Sequence, residues 1–336
     1  MKPPYELPTM RDARAAEGRA GLVVASTFAG AGGSSIGYRL AGFGVVWANE
    51  FHAPAAETYR RNFADTIVDE RDIRTLRGAD VLGAIGIGAG ELDVLDGSPP
   101  CQSFSLAGRR QRGWGREMHH ADGTTQRSDD LFFDYARLVR EVRPRVFVAE
   151  NVAGLARGLA KGYLAEILGE LREGYRVQAR ILDAQWLGVP QMRERVIVIG
   201  VRDDLGAEPA FPAPLTYRYA LRDACPWLDG AQIVDVGGYH DGRRRPASLP
   251  AYTITASGLS SGGREQTLVE TREGERRRFT VEECRRLMSF PADYDLEGLS
   301  EAQQWARLGN AVPPLMMRAI AETIRDRILR AKEAAA

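Results

Sequence analysis

The stretch Leu22-Val23-Val24-Ala25-Ser26-Thr27-Phe28-Ala29-Gly30-Ala31-Gly32-Gly33-Ser34-Ser35 reads as a buried strand that runs straight into a glycine turn and then a helix. The apolar, β-branched run suits a central strand, while the glycines permit a tight turn that a ligand can approach closely. Gly30, Gly32 and Ser35 match the dinucleotide fingerprint only in part, because serine stands at its third position. A nicotinamide reading is thereby weakened, and a plain structural turn stays open.

Outward from this turn, short apolar runs alternate with amphipathic stretches as far as about Arg202, the pattern of a mostly parallel sheet covered by helices, hence an α/β body. The expected strands are Leu22–Phe28, Val45–Glu50, Thr66–Val68, Leu92–Asp96, Arg145–Glu150, Arg176–Leu182 and Arg195–Val201. Helices are expected at Ser34–Ala41, Pro54–Asn62, Leu131–Val142 and Gly162–Arg172. Beyond Arg202 the prolines 209, 212, 214 and 226, the pairs Gly237-Gly238 and Gly262-Gly263, and Arg243-Arg244-Arg245 break both periodicities. Helical signals return at Thr280–Met288, with Thr280 and Glu283 placed as a capping box, and at Pro314–Ala331. The predicted organisation is an N-terminal extension over 1–20, a catalytic body over 21–202, a small second domain over 203–278, and a segment over 279–336 that returns to the body.

Composition narrows the class. With 336 residues and 44% hydrophobic content the chain buries a large core. Lys+Arg and Asp+Glu both count 45, so net charge gives no sign of a nucleic-acid partner, and any such partner must meet a local basic surface. Cys101, Cys225 and Cys284 lie far apart with no metal-ligand spacing, so neither a metal site nor a disulfide framework is expected, and a reducing cytoplasm fits. No apolar run approaches the roughly 18 residues of a membrane span.

The chemistry-bearing residues gather at the expected strand ends. Glu50 closes the second strand and Asp72 follows the third, positions where a carboxylate in such a sheet can receive ribose hydroxyls. The fourth strand leads to Gly97-Ser98-Pro99-Pro100-Cys101-Gln102-Ser103-Phe104-Ser105. Alone, Cys101 reads as a small buried hydrophobe. Its place at a strand's carboxyl end, behind two prolines and among polar residues, moves it toward nucleophilic catalysis. Glu150 ends an apolar strand, where a carboxylate is costly without a task or a partner. Arg193 and Arg195 alternate at the start of the last strand and are expected on one face, where a salt-bridged edge is the plainer reading.

Taken together, Phe28–Gly33, Pro99-Pro100-Cys101-Gln102, Glu150-Asn151-Val152, Gln191-x-Arg193-x-Arg195, Arg286-Leu287-Met288-Ser289-Phe290-Pro291 and Gly309-Asn310-Ala311-Val312-Pro313 closely resemble the DNA (cytosine-5) methyltransferase family, in order and spacing from about Val23 to the C-terminus. The resemblance implies a Rossmann-like S-adenosylmethionine-dependent methyltransferase fold, with the 203–278 segment as a target-recognition domain for double-stranded DNA. It implies Cys101, Glu150, Arg193 and Arg195 as catalytic residues. Phe28, Gly30, Gly32, Gly33, Glu50, Phe51, Asp72, Ile73, Pro100, Leu131, Asn310 and Val312 would bind the cofactor. The chain departs from the family at Ser26-Thr27, where Asp-Leu is usual, so an acidic contact near the cofactor loop is missing. DNA contacts are expected from Gln102, Ser105, Arg109, Arg110 and Arg112 on a lid loop, from Arg243, Arg244 and Arg245, and from Thr253.

The chemistry suits these residues. A thiolate must add to carbon 6 of cytosine to make carbon 5 nucleophilic, and Glu150 and Arg195 can meet the charge that develops on ring nitrogen 3 and the exocyclic oxygen. Two other readings stand beside this one. A tRNA cytosine methyltransferase shares most of the motifs but typically carries a Cys-Phe-Thr tripeptide, absent here; a catalytically silent DNA-binding protein has no chemical need for Cys101, Glu150 and Arg195 together. A cytoplasmic monomer is expected, with a restriction endonuclease as a candidate companion.

Overall fold

The computed structural model describes residues 2–100, 118–119, 125–126, 131–158, 160–236, 242–256 and 266–330. Its elements in chain order begin with α1 (Met10–Ala16), β1 (Val23–Thr27), α2 (Gly33–Leu40), β2 (Gly44–Asn49), α3 (Ala53–Asn62), β3 (Ile67–Asp69), α4 (Gly78–Ile85) and β4 (Val94–Gly97). The short antiparallel pair β5 (Met118–His119) and β6 (Thr125–Gln126) follows, then α5 (Leu131–Val142), β7 (Val146–Val152), α6 (Ala160–Leu171), β8 (Tyr175–Asp183) and β9 (Glu194–Arg202). The chain continues through α7 (Leu221–Ala224), β10 (Gln232–Val236), β11 (Arg244–Pro246), β12 (Gln266–Glu270), β13 (Arg276–Arg278), α8 (Val281–Leu287), α9 (Glu301–Asn310) and α10 (Pro314–Ile324).

The main sheet has the order β3-β2-β1-β4-β7-β9-β8. The first five strands are parallel, and β9 alone runs antiparallel to its neighbours β7 and β8. All seven expected strands are present, with ends moved by one or two residues. Strand order reverses at β1, between β2 and β4, and in such sheets the crevice outside the carboxyl ends at that point receives the ligand.

The central strands are apolar on both faces because helices cover both. Ala25, Leu95 and Phe147 pack under α4, α5 and α6, while their neighbours Val24, Val94 and Val146 point to the other face, toward α2 and α10. The closeness of α2 and α10 depends on Gly37: a Cβ there would lie 2.6 Å from Met317 Cβ and 2.7 Å from the Pro314 carbonyl. That contact returns the C-terminal segment to the body. The last helix is shorter than expected, ending at Ile324 and passing into a π-turn over Arg325–Leu329.

Residues 203–278 carry a four-stranded antiparallel sheet of their own, in the order β11-β10-β12-β13. Its apolar face is not a separate core. Ile233 and Val269 join one buried cluster with Met10, Phe63, Cys284 and Trp305, so α1, α3, α8 and α9 share it. The first 20 residues are likewise built in: Thr9 and Asp12 cap α1 reciprocally, Met10 N–H donates to Asp293 at 2.6 Å, and Glu17 pairs with buried Arg39 at 2.9 Å. Among the described residues, no helix is long and apolar enough to cross a membrane.

Candidate active site

The crevice at the strand-order reversal is a cleft lined by Ser26, Phe28, Ala29, Gly30, Ala31, Gly33, Ser34, Asp96, Ser98, Ala306, Arg307, Asn310, Ala311 and Val312. Its floor is the glycine turn. Phe28 takes φ +53°, and Gly30 and Gly32 take +54° and +73°. A positive φ at a phenylalanine is strained, and such strain collects at sites where ligands bind. A Cβ on Gly33 would lie 2.1 Å from the Val312 carbonyl, so only glycine lets the α9–α10 connection close the cleft from above. Gly32 is needed for another reason, since a Cβ there would meet the Phe63 ring at 2.2 Å.

Glu50 braces this turn from the end of β2. Its carboxylate accepts from Gly30 N–H at 2.7 Å and from His52 N–H at 2.8 Å. Burial raises its pKa against the pull of those two amides. The expected cofactor residues therefore divide. Phe28, Gly30, Gly33, Asn310 and Val312 line the cleft itself. Glu50 shapes it, and Gly32 supports it as the N-cap of α2. Ile73 and Leu131 are buried in the cluster beneath β1 and β4, and Phe51 is exposed. Asp72 is held by Arg74, whose guanidinium and main-chain N–H both donate to it and lower its pKa.

The donor set suits a polar ligand lying close against the turn. The turn offers main-chain groups to a close-lying ligand, and Ser34 Oγ, buried at the start of α2, completes no hydrogen bond of normal geometry. A buried hydroxyl left in that state is one that a ligand can satisfy.

Beyond the cleft, β7 and β9 place the candidate catalytic pair. Arg195 Nε lies 2.8 Å from Glu150 Oε1, with both side chains mostly buried. Register explains the meeting, because Glu150 faces Ile197 and Val152 faces Arg195 across the antiparallel ladder. Asn151 ties the same strand to the neighbouring turn: its Nδ2 donates to the Pro99 carbonyl at 2.9 Å, while its Oδ1 accepts from Val152 N–H at 2.8 Å. Thus the segment that leads into Cys101 is pinned beside Glu150. In the sequence Asn151 is only one member of a motif; its role is visible only across strands.

Arg193 departs from the expectation of a catalytic partner on the face of Arg195. It is 2% exposed, and its guanidinium donates to the carbonyls of Ile254 (2.9 Å), Gly309 (2.9 Å) and Ala311 (3.0 Å). It clasps two segments distant from its own. Burial, reinforced by neighbouring Arg195, pulls its pKa well below the ordinary value.

The expected DNA-contacting groups have these partners within the chain. Arg244 and Arg276 flank Glu270 and hold its carboxyl down at about 2, Arg244 most strongly. Arg245 donates to the Pro250 carbonyl and stacks over Tyr252. Thr253 Oγ1 donates to the Met192 carbonyl at 2.6 Å and ties the approach to β9. Arg243 is exposed. Cys101, Gln102, Ser105, Arg109, Arg110 and Arg112 lie outside the described residues. The other two thiols are unsuited to attack: Cys225 and Cys284 are buried, and burial pushes Cys225 up to about 12 and Cys284 higher still.

Asp96, Ser98 and Arg307 are among the lining residues that carried no functional reading in the sequence. Arg307 sits on α9, a helix signalled by the Ser300–Gln303 capping box but not expected. Asp96 had a signal as well, a carboxylate closing the apolar run Val94-Leu95, which is the argument that singled out Glu150.

The model of a family described as C-5 cytosine-specific DNA methylase matches residues 22–225 and 230–326. Among curated relatives, the chain is 32% identical to the type II methyltransferase M1.HphI of Haemophilus parahaemolyticus, covering 90% of this chain and 86% of that one. It is also 32% identical to the type II methyltransferase M.Bsp6I of Bacillus sp. (strain RFL6), covering 92% and 100%. Among solved structures, a DNMT2 variant of Spodoptera frugiperda matches with a TM-score of 0.66 at 17% identity, covering 90% and 99%. The Entamoeba histolytica methyltransferase EhMeth matches at 0.63 and 16%, covering 91% and 98%; at these identities the two likenesses concern the fold.

Proposed function

The chain belongs to the C-5 cytosine-specific DNA methylase family, and from that premise we propose that it moves a methyl group from S-adenosylmethionine to carbon 5 of a cytosine flipped out of a specific duplex sequence, with Cys101 as nucleophile. The observation that carries the proposal is the Glu150–Arg195 pair, held beside the Pro99–Pro100 turn by Asn151. When bound, S-adenosylmethionine supplies an electrophilic methyl on a sulfonium.

Cys101, as thiolate, adds to carbon 6 and drives ring electrons toward carbon 5 and nitrogen 3. Glu150 meets nitrogen 3 by hydrogen bonding or protonation, and Arg195 orients Glu150 while its remaining donors face the exocyclic oxygen. Carbon 5 takes the methyl as its bond to the sulfonium sulfur breaks and leaves a neutral thioether; a base then removes the carbon 5 proton, the electrons expel Cys101 as thiolate, and the aromatic ring is restored. Extrusion of the base costs about a few kcal/mol before this chemistry begins. Phe28, Gly30, Gly33, Asn310 and Val312 hold the cofactor. Glu50 keeps the turn in shape and presents its carboxylate toward the ribose. The type II relatives support a setting in a restriction–modification system, in which the chain acts as a cytoplasmic monomer and a restriction endonuclease is its companion.

Incubation with labelled cofactor and mixed-sequence duplex DNA, then digestion to nucleosides, is expected to yield 5-methylcytosine; N4-methylcytosine alone would overturn the mechanism. A duplex containing 5-fluorocytosine is expected to trap the protein covalently, and Cys101→Ala is expected to abolish the trap while DNA binding persists. Preferential methylation of tRNA would reverse the substrate assignment.

A further inference from the structure

Asp96 takes no part in the mechanism above, yet it lines the cofactor cleft from the end of β4 and is 1% exposed. Its carboxylate accepts from Ser26 Oγ at 3.1 Å and from Tyr38 OH at 3.4 Å, and among the described residues it forms no ion pair. A buried carboxylate met only by neutral hydroxyls lacks a counter-charge, and a cation entering the cleft would supply one.

Register makes the placement specific. Ser26 of β1 lies directly opposite Asp96 of β4 in the parallel ladder. Position 26 is where this chain carries serine in place of the acid usual in the sequences it resembles. Neighbouring strands are about 4.8 Å apart, so an acid at 96 stands one strand spacing from an acid at 26 and projects from the same end of the sheet. We propose that Asp96 binds the α-ammonium of the cofactor's amino-acid moiety, the acid having moved across the ladder from β1 to β4, with Ser26 retained as its hydrogen-bond donor. Ser34 Oγ, buried at the mouth of α2 without a well-formed bond, is placed for the adjoining carboxylate. The assignment rests on the reading that the cleft takes S-adenosylmethionine.

Charge adds a pH signature. Burial pushes Asp96 up to about 7, against the pull of the Ser26, Ser34 and Tyr38 hydroxyls, and Glu150 on β7 adds to the rise. The other groups facing it are Tyr59 on α3 and Tyr135 on α5, whose phenols burial keeps neutral, and Arg307 lines the same cleft from α9. Because the ionised form binds an ammonium, affinity rises as pH rises through about 7.

The test is calorimetric binding to the full chain of S-adenosylhomocysteine and of methylthioadenosine, which keeps the adenosine and thioether but lacks the amino acid. Asp96→Asn is expected to weaken S-adenosylhomocysteine at least tenfold and to leave methylthioadenosine within twofold. In the parent, S-adenosylhomocysteine affinity is expected to rise about 8-fold from pH 6 to 7.5, as the ionised fraction of a group titrating near 7 does. That rise is expected to vanish in Asp96→Asn, which separates it from the titration of Glu50. The double variant Ser26→Asp with Asp96→Ser, checked for folding by circular dichroism, is expected to recover S-adenosylhomocysteine binding to within threefold of the parent. Equal weakening of both ligands in Asp96→Asn, unchanged binding, or a folded double variant that stays weak would each overturn the assignment while the cofactor reading stands. A parent that binds neither ligand would overturn the cofactor reading and this assignment with it.

Discussion

Replacing Arg193 with methionine tests whether this guanidinium is structural. The side chain is 2% exposed and gives three hydrogen bonds to main-chain carbonyls, of Ile254, Gly309 and Ala311, which belong to two distant segments. Hydrogen bonds from a charged donor contribute about 1.5–3 kcal/mol each, a gross sum of roughly 4–9 kcal/mol. Part returns in the variant, because the desolvation of the guanidinium is no longer required and the carbonyls relax toward water; removing one side of a buried charged contact typically costs about 3–5 kcal/mol. We therefore expect a loss of about 4 kcal/mol, a large share of a typical total of about 5–15. Urea denaturation followed by tryptophan fluorescence reads it. Arg193→Lys keeps the charge but not the planar fork, and should lose about half as much. Gly309 and Ala311 flank the cleft residue Asn310, so cofactor affinity should fall with stability. A methionine variant as stable as the parent that nonetheless transfers no methyl group would refute the clasp and return Arg193 to the catalytic set.

Gly33→Ala would force a Cβ to within 2.1 Å of the Val312 carbonyl, so the variant should lose S-adenosylhomocysteine binding while circular dichroism shows a folded chain. Asn151→Ala frees the Pro99 carbonyl from β7, and methyl-transfer kcat should fall at least tenfold with little change in cofactor affinity, measured by steady-state kinetics and calorimetry. Asp96→Asn should change stability in a pH-dependent way. The folded protein keeps this carboxyl protonated to about 7, whereas in the unfolded chain it ionises near 3.8. The raised value means that its contribution is fully present below about 3.8 and is lost as pH rises to about 7. The stability of Asp96→Asn relative to the parent should therefore increase by about 2 kcal/mol from pH 5.5 to 8 in urea melts, and a difference that does not vary with pH would contradict the placement of this group.

Much of the body was legible because its signals are local. The central strands β1, β4, β7 and β9 are mostly apolar, as strands covered on both faces are, whereas the edge strand β8 alternates apolar with polar residues. The α2 start is written in consecutive glycines, and Thr280–Glu283 caps α8 as read, with Glu283 N–H donating to Thr280 Oγ1 at 3.2 Å. Elements missed were those whose stability comes from elsewhere: α1 is short and held by Asp293 and Arg39, and α4 has its Gly78 against Glu141 of α5. The surroundings of the basic residues were likewise out of reach of the sequence: Arg244 and Arg276 share cross-strand Glu270, and Arg277 pairs with capping Glu283.

By itself the amino-acid order determined the strand succession, the glycine turn and the family's motifs, because these depend on spacing along a covalent chain and on local backbone freedom. Only tertiary structure separated Arg193 from Arg195, two residues apart, since the segments that receive each guanidinium come from sequence positions more than 40 residues away in either direction. It alone set Asp96 against Ser26, a pairing across 70 residues fixed by strand register. What a polar side chain does inside a protein is decided by which charges and donors the fold brings within about 3 Å of it, and that distance is not a property of the sequence interval.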